Sequence, residues 1–148
     1  MSVDTAADAA VLQDRVVAFV RAFGLHRPSE TPCGKPIPVS AAHALMELVR
    51  GETLTQSELG VRLRLEKSTV SRLVDNLVAR RWLERKRHPA DGRAVLLRLT
   101  PGGLEAAGEL EQARRRKFAT LLDRIPEEDR EQMLQTLDAM TEALDDAS

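Results

Sequence analysis

Ser68, Thr69, Ser71, Arg72 and Asn76 stand close together in the sequence, and their chemistry is hydrogen bonding rather than bond making. Arginine offers a rigid fork of donors, asparagine both donors and an acceptor, and the hydroxyls either role. Val70, Leu73, Val74 and Leu77 recur between them at helical spacing, which puts the polar set on the free face of one helix. Such a face suits the edges of stacked bases: Arg72 matches guanine bidentately, Asn76 matches adenine, and the hydroxyls reach bases or phosphates. Catalysis has little to work with. The chain holds one cysteine and three histidines, with no nucleophile elbow, phosphate-cradling glycine loop or paired zinc-histidine motif. Neither an enzyme nor a cofactor is expected.

Charge separates along the chain. The 148 residues carry a net charge of −1, yet Val61–Arg98 holds eleven Lys/Arg against four acids, or +7. The remainder holds eleven bases against nineteen acids, or −8. A cationic middle between acidic flanks is the footprint of a surface that meets a polyanion, the competing reading being a solvated charged face. Aromatic residues are only 3%, so Leu, Val and Ala must fill a mainly helical core. The longest apolar run, Val16–Val20, is five residues, too short for a membrane span. No basic-then-apolar leader is visible, so a cytoplasmic location is expected. A single cysteine excludes an internal disulfide.

The elements that must position the polar helix follow from periodicity and punctuation. Residues 4–23 read as a helix with an apolar stripe that includes Val11, Val16, Phe19 and Phe23, stopped at Gly24. Four prolines make 26–38 a loop, after which Ser40 is the expected N-cap of a helix over Ala41–Val49. Thr53–Leu54 reads as a very short strand, and Thr55-Gln56-Ser57-Glu58 as a capping box. That helix is interrupted at Arg64-Leu65-Glu66, and the polar helix follows from Lys67 or Ser68 to Ala79. Trp82–Arg87 and Ala94–Leu99 form two strands around the turn residues His88–Gly92. Thr100-Pro101 opens a helix to about Arg124, and Pro126 opens the last one. The expected fold is mostly α with a small β-hairpin wing. A winged helix-turn-helix lobe at 39–100 lies between a first helix with its Pro-rich loop (1–38) and two closing helices (101–148). The stripes of the end helices are too long for a small lobe to cover, which predicts pairing with a second copy.

Three stretches resemble the MarR family of bacterial transcriptional regulators. They are Leu54-Thr55-Gln56-Ser57-Glu58-Leu59, Lys67-Ser68-Thr69-Val70-Ser71-Arg72-Leu73-Val74, and Asp91-Gly92-Arg93 through Leu99-Thr100-Pro101-Gly102-Gly103. The most specific is the Asp-x-Arg wing followed at the right spacing by Leu-Thr-x-x-Gly. The resemblance implies a homodimer on double-stranded DNA, with Arg93 in the minor groove and Asp91 holding the wing. It also implies interleaved end helices, and a small-molecule effector or oxidant that releases a repressor from a near-palindromic operator. A protein-binding winged helix is the alternative. Arg81 at the end of the polar helix and Arg85 and Arg87 on the hairpin complete the candidate DNA contacts.

Two departures stand out. Arg64 and Arg81 occupy positions where the family usually has glycine, so either those turns differ or the left-handed cost is accepted, with Arg81 reaching a phosphate. Cys33, beside Lys35, could be an oxidant sensor or an inert loop residue. His43 is expected in the core or lining an effector pocket between the first, second and fifth helices. A metal site from His26, Cys33 and His43 matches no compact ligand spacing. His88 reads as a spacer in the wing.

Overall fold

The computed structural model describes residues 4–25, 27, 30–31, 36–50 and 53–147. Among them the chain forms helices α1 (Asp4–Phe23), α2 (Val39–Val49), α3 (Gln56–Leu63), α4 (Lys67–Ala79), α5 (Pro101–Leu122) and α6 (Glu127–Asp146). The strands are β1 (Leu54–Thr55), β2 (Leu83–Arg87) and β3 (Val95–Leu99). Two compact units result, Met1–Glu111 and Gln112–Ser148.

The first unit contains the core. Leu45 of α2, Leu59 of α3, Val74 and Leu77 of α4, Leu83 and Leu97 of the hairpin and Leu110 of α5 are fully buried. Each such side chain contributes about 1.5–3 kcal/mol by leaving water. The sheet is antiparallel in the order β1-β3-β2. Leu54 pairs with Leu97, while Leu83, Arg85 and Arg87 stand opposite Leu99, Leu97 and Val95. Alternate residues share a face, so Arg85 and Arg87 project on the side that buries Leu83.

Local chemistry explains the element ends. Thr55 accepts from the Glu58 amide at 3.1 Å and its own amide donates to the Glu58 carboxylate at 3.0 Å, completing the expected capping box. Gly24, at φ 95°, closes α1 as expected. Helix α2 starts earlier than Ser40 predicts. Pro38 fixes φ at −55° with an extended ψ, its carbonyl accepts from Ala42 at 3.0 Å, and Ser40 falls inside the first turn. At the head of α5, the Thr100 hydroxyl donates to the Arg81 carbonyl at 2.6 Å and accepts from the Gly103 amide at 3.0 Å. A Cβ on Gly103 would lie 2.0 Å from the Trp82 carbonyl oxygen, so only glycine lets α5 start this close to the hairpin.

Apolar surface is left over on the end helices. Val11, Leu12, Val16, Val17 and Phe19 of α1 are exposed, with Phe19 stacked on Phe23. In the second unit α6 buries no residue, and Leu134, Leu137 and Leu144 are exposed, as are Phe118, Leu121 and Leu122 at the end of α5. None of the described helices is long and apolar enough to cross a membrane.

Candidate nucleic-acid interface

Helix α4 presents its polar set as its sequence requires. Val70, Leu73, Val74 and Leu77 are buried, Ser68, Thr69, Arg72 and Asn76 are exposed, and Ser71 is half-buried at the flank. Glu66 begins the helix without a side-chain cap, leaving the first-turn amides open to an outside acceptor.

The turns at both ends of the helix answer the question raised by Arg64 and Arg81. Both residues are left-handed, at φ 56° and 62°. Each sits in a Schellman closure: Arg64 and Leu65 donate to Val61 and Gly60, and Arg81 and Trp82 donate to Val78 and Leu77, all at 2.9–3.1 Å. The turns therefore keep a glycine-type backbone without glycine. The bonds that satisfy the helix ends hold both arginines in place, and Arg81 remains exposed.

Arginines from outside the helix brace its outer face. Arg85 of β2 forms a hydrogen-bonded ion pair with Asp75 of α4. Arg80 donates from Nε to Asn76 Oδ1 at 3.0 Å, and its guanidinium lies 5.1 Å from the Trp82 ring centroid. Sequence reasoning assigned Arg85 to DNA and gave Arg80 no role. The Arg80–Asn76 spacing of one helical turn was a usable signal, whereas the Arg85–Asp75 pair depends on hairpin-to-helix packing.

The wing tip is built from backbone bonds. The Asp91 carboxylate accepts from the Arg93 amide at 3.0 Å, and its carbonyl accepts from Ala94 at 3.1 Å. His88 is more than a spacer, because its Nδ1 accepts from both the Ala90 and Asp91 amides at 3.0 Å. Arg87 and Arg93 are exposed beside this tip.

A cavity of about 610 Å³ is lined by Leu25, by Val39, Ser40, His43 and Glu47 of α2, and by Arg62–Leu65. Arg62 and Glu47 pair across it at 3.6 Å. His43 is an exposed lining residue rather than a core one, and no α5 residue takes part. The α5 residues Ala106, Glu109 and Leu110 instead line a separate cavity of about 310 Å³ with Ile37, Arg80 and Trp82. Cys33, Lys35 and His26 lie outside the described residues, and with them the oxidant-sensor and three-residue metal readings. Among the described residues no cluster of three or more potential metal ligands occurs.

A short capped helix, a tight turn, a second helix with a polar outer face and a basic hairpin define a winged helix-turn-helix lobe. Residues 35–94, about two-fifths of the chain, match the MarR family model. The chain is 34% identical over 70 residues to the multiple antibiotic resistance protein MarR of Escherichia coli, covering 46% of this chain and 49% of that one. The Staphylococcus aureus MepR–DNA complex is 27% identical with a TM-score of 0.68, over 73% of this chain and 80% of that chain. Streptococcus pneumoniae FabT in complex with DNA is 21% identical and shares the fold, with a TM-score of 0.72 over 99% and 100% of the two chains.

Proposed function

We propose that the protein is a cytoplasmic, homodimeric transcriptional repressor that occupies a near-palindromic operator. The observation that carries this reading is the exposed Ser68, Thr69, Arg72 and Asn76 set on α4, beside an arginine-bearing wing. An α-helix fits the major groove, where Arg72 would take guanine and Asn76 adenine, with Ser68, Thr69 and Ser71 on bases or phosphates. Arg93 would enter the adjacent minor groove, whose narrow A·T-rich stretches attract arginine, while Asp91 shapes the wing that carries it. Arg81 and Arg87 would take phosphates, and Arg85 would share its charge between Asp75 and the backbone. Residues 39–100 form the reading lobe in this scheme, and 1–38 with 101–148 join two copies. The exposed apolar residues of α1, α5 and α6 support that pairing. A two-fold dimer sets its half-sites about 34–36 Å apart.

The cavity beside His43 suits a small effector. Such a ligand releases DNA only by binding one spacing of the two lobes more tightly than the other. Selection from a random duplex pool tests the reading. An enriched inverted repeat with half-sites about one helical turn apart is expected. The salt dependence should follow a log–log slope of roughly −0.9 per neutralised phosphate. Failure to enrich any sequence, or to bind any duplex at low salt, would favour a protein-docking role and contradict it.

A further inference from the structure

The carboxyl end of α4 carries a three-residue network that base reading by itself does not require. Trp82 is half-buried against the core, so its ring is a fixed platform. The Arg80 guanidinium lies over that ring at 5.1 Å, a geometry in which a cation is attracted to the π face. From there Nε donates to Asn76 Oδ1 at 3.0 Å.

The polarity of this last bond matters. An asparagine amide can present either its oxygen or its NH2 to a neighbour, so an unrestrained Asn offers the groove both a donor and an acceptor. Arginine has donors only. Beside Arg80 the amide must turn its oxygen inward along the helix, which leaves the Nδ2 hydrogens to lead. We propose that Arg80, seated on Trp82, is a specificity-determining positioning residue that fixes Asn76 as a hydrogen-bond donor toward DNA. The inference rests on α4 being the base-reading helix. In the major groove both purines offer an N7 acceptor, whereas cytosine presents its N4 donor. Thymine offers its O4 acceptor as well, so the base facing Asn76 is a purine or thymine, and cytosine is the one the arrangement rejects. Arg80 itself is not a phosphate ligand in this scheme.

The test uses the full chain and a duplex selected by it, with every base pair of one half-site substituted in turn. Wild type is compared with Asn76→Ala, Arg80→Met, which keeps the stem but no donor, and Arg80→Lys, which keeps the charge and a donor. The Asn76→Ala protein identifies the position read, by flattening its preference. At that position Arg80→Met should shrink the purine-over-cytosine ratio by about five- to tenfold, the size of one discriminating contact. Other positions should keep their ratios, and Arg80→Lys should retain most of the preference. Both substituted positions, Asn76 and Arg80, are exposed, so matching thermal melts would show that folding is intact. An Asn76→Ala protein with unchanged base preferences would remove the base-reading premise and the inference together. A flattened position in Asn76→Ala that Arg80→Met leaves intact would overturn the inference alone. So would an even loss of affinity across all duplexes with a shallower salt slope, because that is the signature of a phosphate contact.

Discussion

Arg64 and Arg81 both hold left-handed backbone, at φ 56° and 62°. An L-residue there costs on the order of 1–2 kcal/mol relative to a right-handed conformation, part of which glycine would give back through its freer unfolded chain. Arg81→Gly should therefore raise stability by up to about 1 kcal/mol in thermal melts, while the salt slope of DNA binding loses about one unit. A raised melting temperature with an unchanged slope would remove the phosphate role. His88 gives a second prediction. Its Nδ1 gathers the Ala90 and Asp91 amides, so His88→Ala should loosen the wing and weaken binding at duplexes with A·T-rich flanks. His88→Asn, whose oxygen can accept the same amides, should preserve it in the same titration. The reading face of α4 was legible because helical period alone separates Arg72 and Asn76 from the buried Leu73 and Leu77. The pair of Arg85 with Asp75 was not, since it forms only when the face of β2 that buries Leu83 meets α4. The role of His88 was hidden for another reason: its partners are backbone amides, which residue types do not reveal.

Caps and close approaches set the elements, and both have measurable sizes. Thr55→Ala removes the acceptor of the α3 capping box and should cost about 1 kcal/mol in chemical denaturation. Gly103→Ala should cost more, about 1–3 kcal/mol, because a methyl there meets the Trp82 carbonyl and α5 must shift. An unchanged midpoint for Gly103→Ala would mean that the start of α5 is free to move. Both signals stood in the sequence as Thr-x-x-Glu and Leu-Thr-x-x-Gly. The limits of sequence reading appear at α2, and in the exact bounds of β1, which the sequence puts at Thr53–Leu54 and the structure at Leu54–Thr55. Ser40 was an attractive cap, but Pro38 already presents an acceptor carbonyl with fixed φ, so the helix begins at Val39. A two-residue strand such as β1 has too few residues to show alternation. Its pairing with Leu96 and Leu97 follows from the fold, not from its own residues.

At the scale of the molecule, the exposed leucines and phenylalanines of α1, α5 and α6 call for a partner surface, and a second copy supplies it in the scheme above. Leu137→Glu, at a position 53% exposed in the single chain, should leave the reading lobe folded but yield a monomer by light scattering. Its operator affinity should fall with it, since one lobe grips one half-site. The charge split between Val61–Arg98 and the rest was the first sign of this division of labour, and it needed only counting. The most direct test of the whole account is amide NMR of the intact protein titrated with its selected duplex. Shifts concentrated in Lys67–Ala79 and around His88–Arg93, with one set of signals for two equivalent copies, are the predicted result. Unchanged signals across those two segments while the duplex binds elsewhere would contradict it.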